Sequence, residues 1–136
     1  MRLGVFAKTF PGETPQEVFS AAKAAGFDCV QYNMACSGLG ALPRVVPAEA
    51  AEAVRAASEA TGVGIAAVSA TYNMIHPDRA VRDAGRAAFE AIAGAARGMG
   101  TVWSPTRAPC SVSATSTMFM AGEPMNPATK VLAGRS

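Results

Sequence analysis

The strongest constraint on this chain is a repeated alternation. A short apolar run is followed by a loop, then by a stretch with helical spacing that stops at a glycine, and the cycle begins again. Strand-like runs separated by helix-length crossovers cannot pair as hairpins; they lie parallel, with helices packed over the sheet. The first run, Arg2-Leu-Gly-Val-Phe-Ala, leads into Lys8-Thr-Phe-Pro-Gly, where Pro11 and Gly12 break regular structure. Thr14-Pro15-Gln16-Glu17 then offers an N-cap, a proline at the first helical position and a glutamate placed for a capping box. Val18, Ala21, Ala22 and Ala25 share one face of the predicted helix, which Gly26 ends.

The second cycle opens with Phe27-Asp28-Cys29-Val30-Gln31-Tyr32, a strand running into a loop from Asn33 to Val46 that Gly38, Gly40 and Pro43 keep irregular. Pro47 opens an alanine-rich helix with Ala50, Val54 and Ala57 on one stripe and Gly62 as its stop. In the third cycle, residues 64–70 are nearly continuous in small and branched apolar residues, as for a strand covered on both faces. Asp78 is placed to cap a third helix with Val81, Ala88, Ile92, Ala95 and Met99 on one stripe, ending at Gly100. Gly85 and Gly94 lie inside it, each costing about 1 kcal/mol relative to alanine, so this helix depends on packing.

Thr101-Val102-Trp103 reads as the start of a fourth strand, after which the period is lost. Residues 104–136 contain Glu123 as their one acid, with prolines at 105, 109, 124 and 127, and are expected to form an irregular, disordered tail. The fold class expected is α/β: parallel β/α repeats forming the N-terminal half of a TIM (β/α)8 barrel, left incomplete. A full barrel takes about 250 residues, and these units have roughly the length of one-eighth of that. A doubly wound nucleotide-binding sheet is disfavoured because KTFPGETP lacks a GxGxxG turn. A half-barrel leaves its outer strands as unpaired edges.

Composition narrows the partners. Half the residues are hydrophobic, enough for one core, while a net charge of +2 with 16% charged residues offers no basic track for nucleic acid and no polybasic membrane patch. The N-terminus lacks the apolar stretch of a secretory signal and no run is long enough to span a bilayer. The three cysteines, Cys29, Cys36 and Cys110, have no CxxC spacing and suit a reducing compartment, so a cytoplasmic location is expected.

In parallel β/α folds the reactive groups sit at the carboxyl ends of strands. Those positions hold Lys8, Asn33 and the loop of residues 71–78, which carries Tyr72, Asn73 and the single histidine, His76. This set can hydrogen-bond a polyhydroxylated small molecule. His76 reads equally as a loop histidine beside Asp78, Asn33 and Asn73 as turn residues, and Lys8 as a solvated lysine. Asp78 is better used as a cap, and no nucleophile triad can be assembled around one histidine. Arg79, Arg82 and Arg86 read as a solvated, pair-forming helix stripe.

The opening strand, the passage AAKAAGFDCVQYNM, and above all SATYNMIHPD followed by an arginine-bearing helix ending in GMGT resemble the sugar phosphate isomerase/epimerase family, the xylose isomerase-like TIM barrels, over residues 1–103. The resemblance implies a divalent metal, Mn or Mg, at the barrel mouth. It implies isomerisation or epimerisation of a sugar or sugar phosphate by metal-assisted proton transfer next to a carbonyl, often in an oligomer. It places His76 and Asn73 in the substrate pocket, with Lys8 and Asn33 as further candidates. The family's metal ligands come from later strands that have no counterpart here, so no metal ligand is expected in this chain. A truncated or frameshifted, inactive form is therefore expected. The alternative is a non-catalytic half-barrel that self-associates or binds a partner through its open edges.

Overall fold

The computed structural model describes residues 2–101 and the backbone of residues 111–113. They build a mixed α/β unit from strands β1 (Gly4–Phe6), β2 (Cys29–Asn33), β3 (Gly64–Ser69) and β4 (Ser111–Ser113) and helices α1 (Pro15–Ala24), α2 (Ala48–Thr61) and α3 (Arg79–Ala95). Neighbouring strands are all parallel, and their order in the open sheet is their order in the chain.

The local signals act where the sequence puts them. Thr14 Oγ1 accepts the Glu17 N–H at 3.4 Å, and the Glu17 carboxylate accepts the N–H groups of Thr14 at 3.2 Å and Glu13 at 3.1 Å, closing the capping box. These bonds, led by that with the Thr14 side chain, hold the Glu17 carboxyl below its ordinary value. Helix α1 ends at Gly26, whose φ of 85° lets Phe27 N–H reach back to Ala22 O at 3.0 Å. Helix α2 begins one residue after Pro47, which is its N-cap. It stops at Gly62, whose φ is 71°.

Packing decides which apolar residues are buried. In α1 these are Val18, Phe19 and Ala22, whereas Ala25, expected on the same face, is exposed at the helix end. In α2 the buried stripe is Ala51, Val54 and Ala57, one residue displaced from the expected Ala50. Across the sheet Val5 pairs with Val30, Val30 with Ile65 and Tyr32 with Val68. Val30, Ile65, Tyr32 and Val68 are buried. Phe19 stacks on Tyr32 with ring centroids 5.6 Å apart, which seats α1 on this face. On the opposite face the register aligns Gly4, Cys29 and Gly64, then Phe6, Gln31 and Ala67. All six are exposed or half-buried, Phe6 at 39%.

Helix α3 is shorter than its sequence pattern. It ends at Ala95 instead of running to Gly100, because Ala96 N–H turns to Ala93 O, an i to i−3 bond that tightens the last turn. The residues beyond it meet the first half of α2: a Cβ on Gly98 would lie 3.4 Å from Ala51 Cβ. Of the expected fourth strand, Thr101-Val102-Trp103, one residue is described. Thr101 is outside regular structure, Val102 and Trp103 lie outside the described residues, and the fourth place is taken by Ser111–Ser113, paired with Ala67–Ser69. Apart from those three residues, the tail read at 104–136 lies outside the described residues. Among the described residues no helix is long and apolar enough to cross a membrane.

Candidate functional site

Parallel strands deliver their carboxyl ends to one rim, so the segments after β1, β2 and β3 emerge on the same side of the sheet. Lys8 is exposed in a single 3-10 turn, Ala7–Thr9, that follows β1 directly. Asn33 ends β2 in register with Ser69, which ends β3, and both are buried. The lysine charge reaches the Cys36 thiol, which ties Lys8 to the turn of residues 34–37 after Asn33. Burial pushes that thiol up, against the smaller pull of the Asn33 backbone bond and of Lys8, so it stays protonated and is not a poised nucleophile.

The two asparagines do the same local work. Asn33 Oδ1 accepts the Ala35 N–H at 3.0 Å, and Asn73 Oδ1 accepts the Ile75 N–H at 3.1 Å, each two residues ahead. His76 braces its loop in a related way. Its Nδ1 accepts the Asp78 N–H at 3.1 Å, which requires a neutral ring carrying its hydrogen on Nε2. Asp78 caps α3 as expected, its Oδ1 accepting the Ala80 N–H at 2.8 Å. Arg82 completes the brace by donating to the carbonyls of His76 and Pro77. The solvated arginine stripe thus holds for Arg79, paired with Asp83 at 3.4 Å, and Arg86, paired with Glu90 at 2.9 Å. It is corrected for Arg82.

Two further polar groups near the rim carried no sequence signal. The Tyr32 hydroxyl and Ser37 Oγ share a hydrogen bond of 2.8 Å beneath the turn after β2. Burial, opposed by the bond to Ser37, pushes the phenol well above its ordinary value, so Tyr32 is a neutral structural group. The rim can therefore offer the Lys8 ammonium and the Nε2–H of His76 as donors, with the amide groups of Asn33 and Asn73 turned partly to their own loops. Among the described residues no three His, Cys, Asp or Glu side chains come together as a metal site, so the donors present do not fit the Mn or Mg that the resemblance implies. A cavity of about 500 Å³, lined by Val46, Ala48, Ala51, Ala91, Gly94 and Gly98 among others, lies between α2 and α3, and none of Lys8, Asn33, Asn73 and His76 lines it. Comparison with family models, curated proteins and solved structures found no match to this chain.

Proposed function

We propose that the described unit is an arc of a (β/α) barrel that binds a sugar or sugar phosphate, the substrate-facing part of an isomerase or epimerase. The observation that supports this best is the unreversed strand order β1-β2-β3-β4. With right-handed crossovers such an order sets all the helices on one face, as in a barrel, whereas a doubly wound sheet reverses direction. It also brings Lys8, Asn33 and the loop of Asn73 and His76 to one rim, where an ammonium suits a phosphate and an imidazole N–H suits a hydroxyl or carbonyl oxygen. The reaction class is proton transfer next to a carbonyl. The described residues contribute substrate binding, and no proton-transfer step is assigned to them.

A nuclear magnetic resonance titration of the full chain with a pentulose phosphate tests the reading. The amides of Lys8, Asn33, Asn73 and His76 are expected to shift together. Saturable shifts confined to the cavity between α2 and α3, or none at millimolar ligand, would refute it. A second reading is a non-catalytic module that pairs through its open edges, supported by Leu3 and Phe6, 53% and 39% exposed at the outer strand β1. Concentration-dependent dimerisation, unaffected by sugar phosphate, would favour that reading.

A further inference from the structure

We propose that His76 is a proton-sensitive catch that fastens the β3–α3 loop to the start of α3. The catch is a chain of bonds between neighbours: His76 Nδ1 holds the Asp78 N–H, Asp78 Oδ1 holds the Ala80 N–H, and Arg82 grips the carbonyls of His76 and Pro77. Each bond keeps the next in place. The first one exists only while the ring is neutral, because an imidazolium carries hydrogen on both nitrogens. A proton on Nδ1 would set donor against donor across the 3.1 Å between His76 and Asp78 N. The Arg82 guanidinium, held on the carbonyl of the same residue, adds a like charge. Among the described residues the Asp78 carboxylate is the one opposite charge bonded into this loop, and turning to the imidazolium takes it from the Ala80 N–H that it caps. Tyr72, the loop's other titratable side chain, lies against Gly85 farther along α3. Protonation therefore releases the Asp78 amide, uncaps α3 and frees the loop at the rim.

The test is nuclear magnetic resonance of the full chain from pH 8 to pH 5, for the wild type and His76→Asn. The asparagine Oδ1 can take the place of Nδ1 as acceptor but does not titrate. In the wild type the Asp78 and Ala80 amides should shift in one transition with the His76 ring, their exchange protection falling roughly fivefold, the worth of one hydrogen bond. In the variant that transition should be absent. Three results would each overturn the proposal: a ring that titrates while both amides stay still, the same amide transition in His76→Asn, or a ring bearing its hydrogen on Nδ1 at pH 8.

Discussion

Replacing Gly85 with alanine sets two effects of opposite sign against each other. Alanine is the better helix former by about 1 kcal/mol. A Cβ at this position, however, would fall 2.4 Å from Tyr72 Cδ2, 2.8 Å from Cγ and 2.9 Å from Cβ. Rotation of the tyrosine ring cannot clear a contact with its own Cβ, so the loop backbone has to move. The ring is also engaged with Phe89, their centroids 6.3 Å apart. Overpacking of this kind costs about 1–3 kcal/mol, which outweighs the propensity gain and leaves a net loss of about 1 kcal/mol. Gly94, inside the same helix, has nothing within 4 Å of its would-be Cβ. Gly94→Ala should therefore show the propensity term alone and stabilise by about 1 kcal/mol. Urea denaturation of the two variants should separate them by about 2 kcal/mol, and adding Tyr72→Ala should rescue Gly85→Ala and have no such effect beside Gly94→Ala. If Gly85→Ala is as stable as Gly94→Ala, the close approach of Tyr72 to the helix is not what holds α3 in place.

Thr14→Ala should cost about 1 kcal/mol by denaturation, the usual worth of an N-cap. It should also flatten the acid limb: because the folded Glu17 carboxyl lies below 4.5, its stabilising contribution is complete above that pH and fades as pH falls through the folded value. Of the two tyrosines, Tyr32 should keep its proton well past pH 10, since its phenol is pushed upward by burial. Ultraviolet titration of Tyr72→Phe checks this, and tyrosinate formation by Tyr32 near pH 10 in the folded protein would contradict the burial. Phe6→Gln, on a strand-edge side chain that is 39% exposed, should leave the fold intact. Sedimentation should show it abolishing any dimer made through β1, and a dimer that survives the change does not use that edge.

What could be read from sequence divides by the range of the interaction. The capping box of Thr14 and Glu17, the stop at Gly62 and the cap at Asp78 are settled within one helical turn, and all three stand in the structure. The burial of Phe19 in place of Ala25 is not local, because it depends on Tyr32 from a strand arriving under α1. The apolar stripe of α3 continues in sequence to Met99, which is indeed buried, but from a turn beyond the helix, so the pattern alone overstates its length. At the rim, Asn33 and Asn73 could have been ligands or turn formers on chemistry alone, and their Oδ1 bonds show the turn role. Arg82 was legible after all. Arg79 has Asp83 and Arg86 has Glu90 four residues on, whereas Arg82 has Arg86 ahead and Asp78, already committed as a cap, behind. Its remaining acceptors were the loop carbonyls.

The face of the sheet away from the helices bears directly on both functional readings. A closed eight-stranded parallel barrel fills its interior with layers of bulky branched side chains. Here the layers are Gly4, Cys29 and Gly64, then Phe6, Gln31 and Ala67, then Asn33 with Ser69. Apart from Phe6 these residues are small or polar, and leaving them in water costs far less than leaving a row of valines and leucines there. The described unit is therefore not driven to associate by this face, and the pressure to do so falls on the unpaired edge of β1 with Leu3 and Phe6 beside it. Asn33 and Ser69, the layer nearest the rim, are buried while the layers beneath them are not. Asn33 and Ser69 are thus the packed layer of that side, the property that a binding rim needs and an association surface does not, whereas the loop after β3 leaves Met74 and Ile75 48% and 47% exposed.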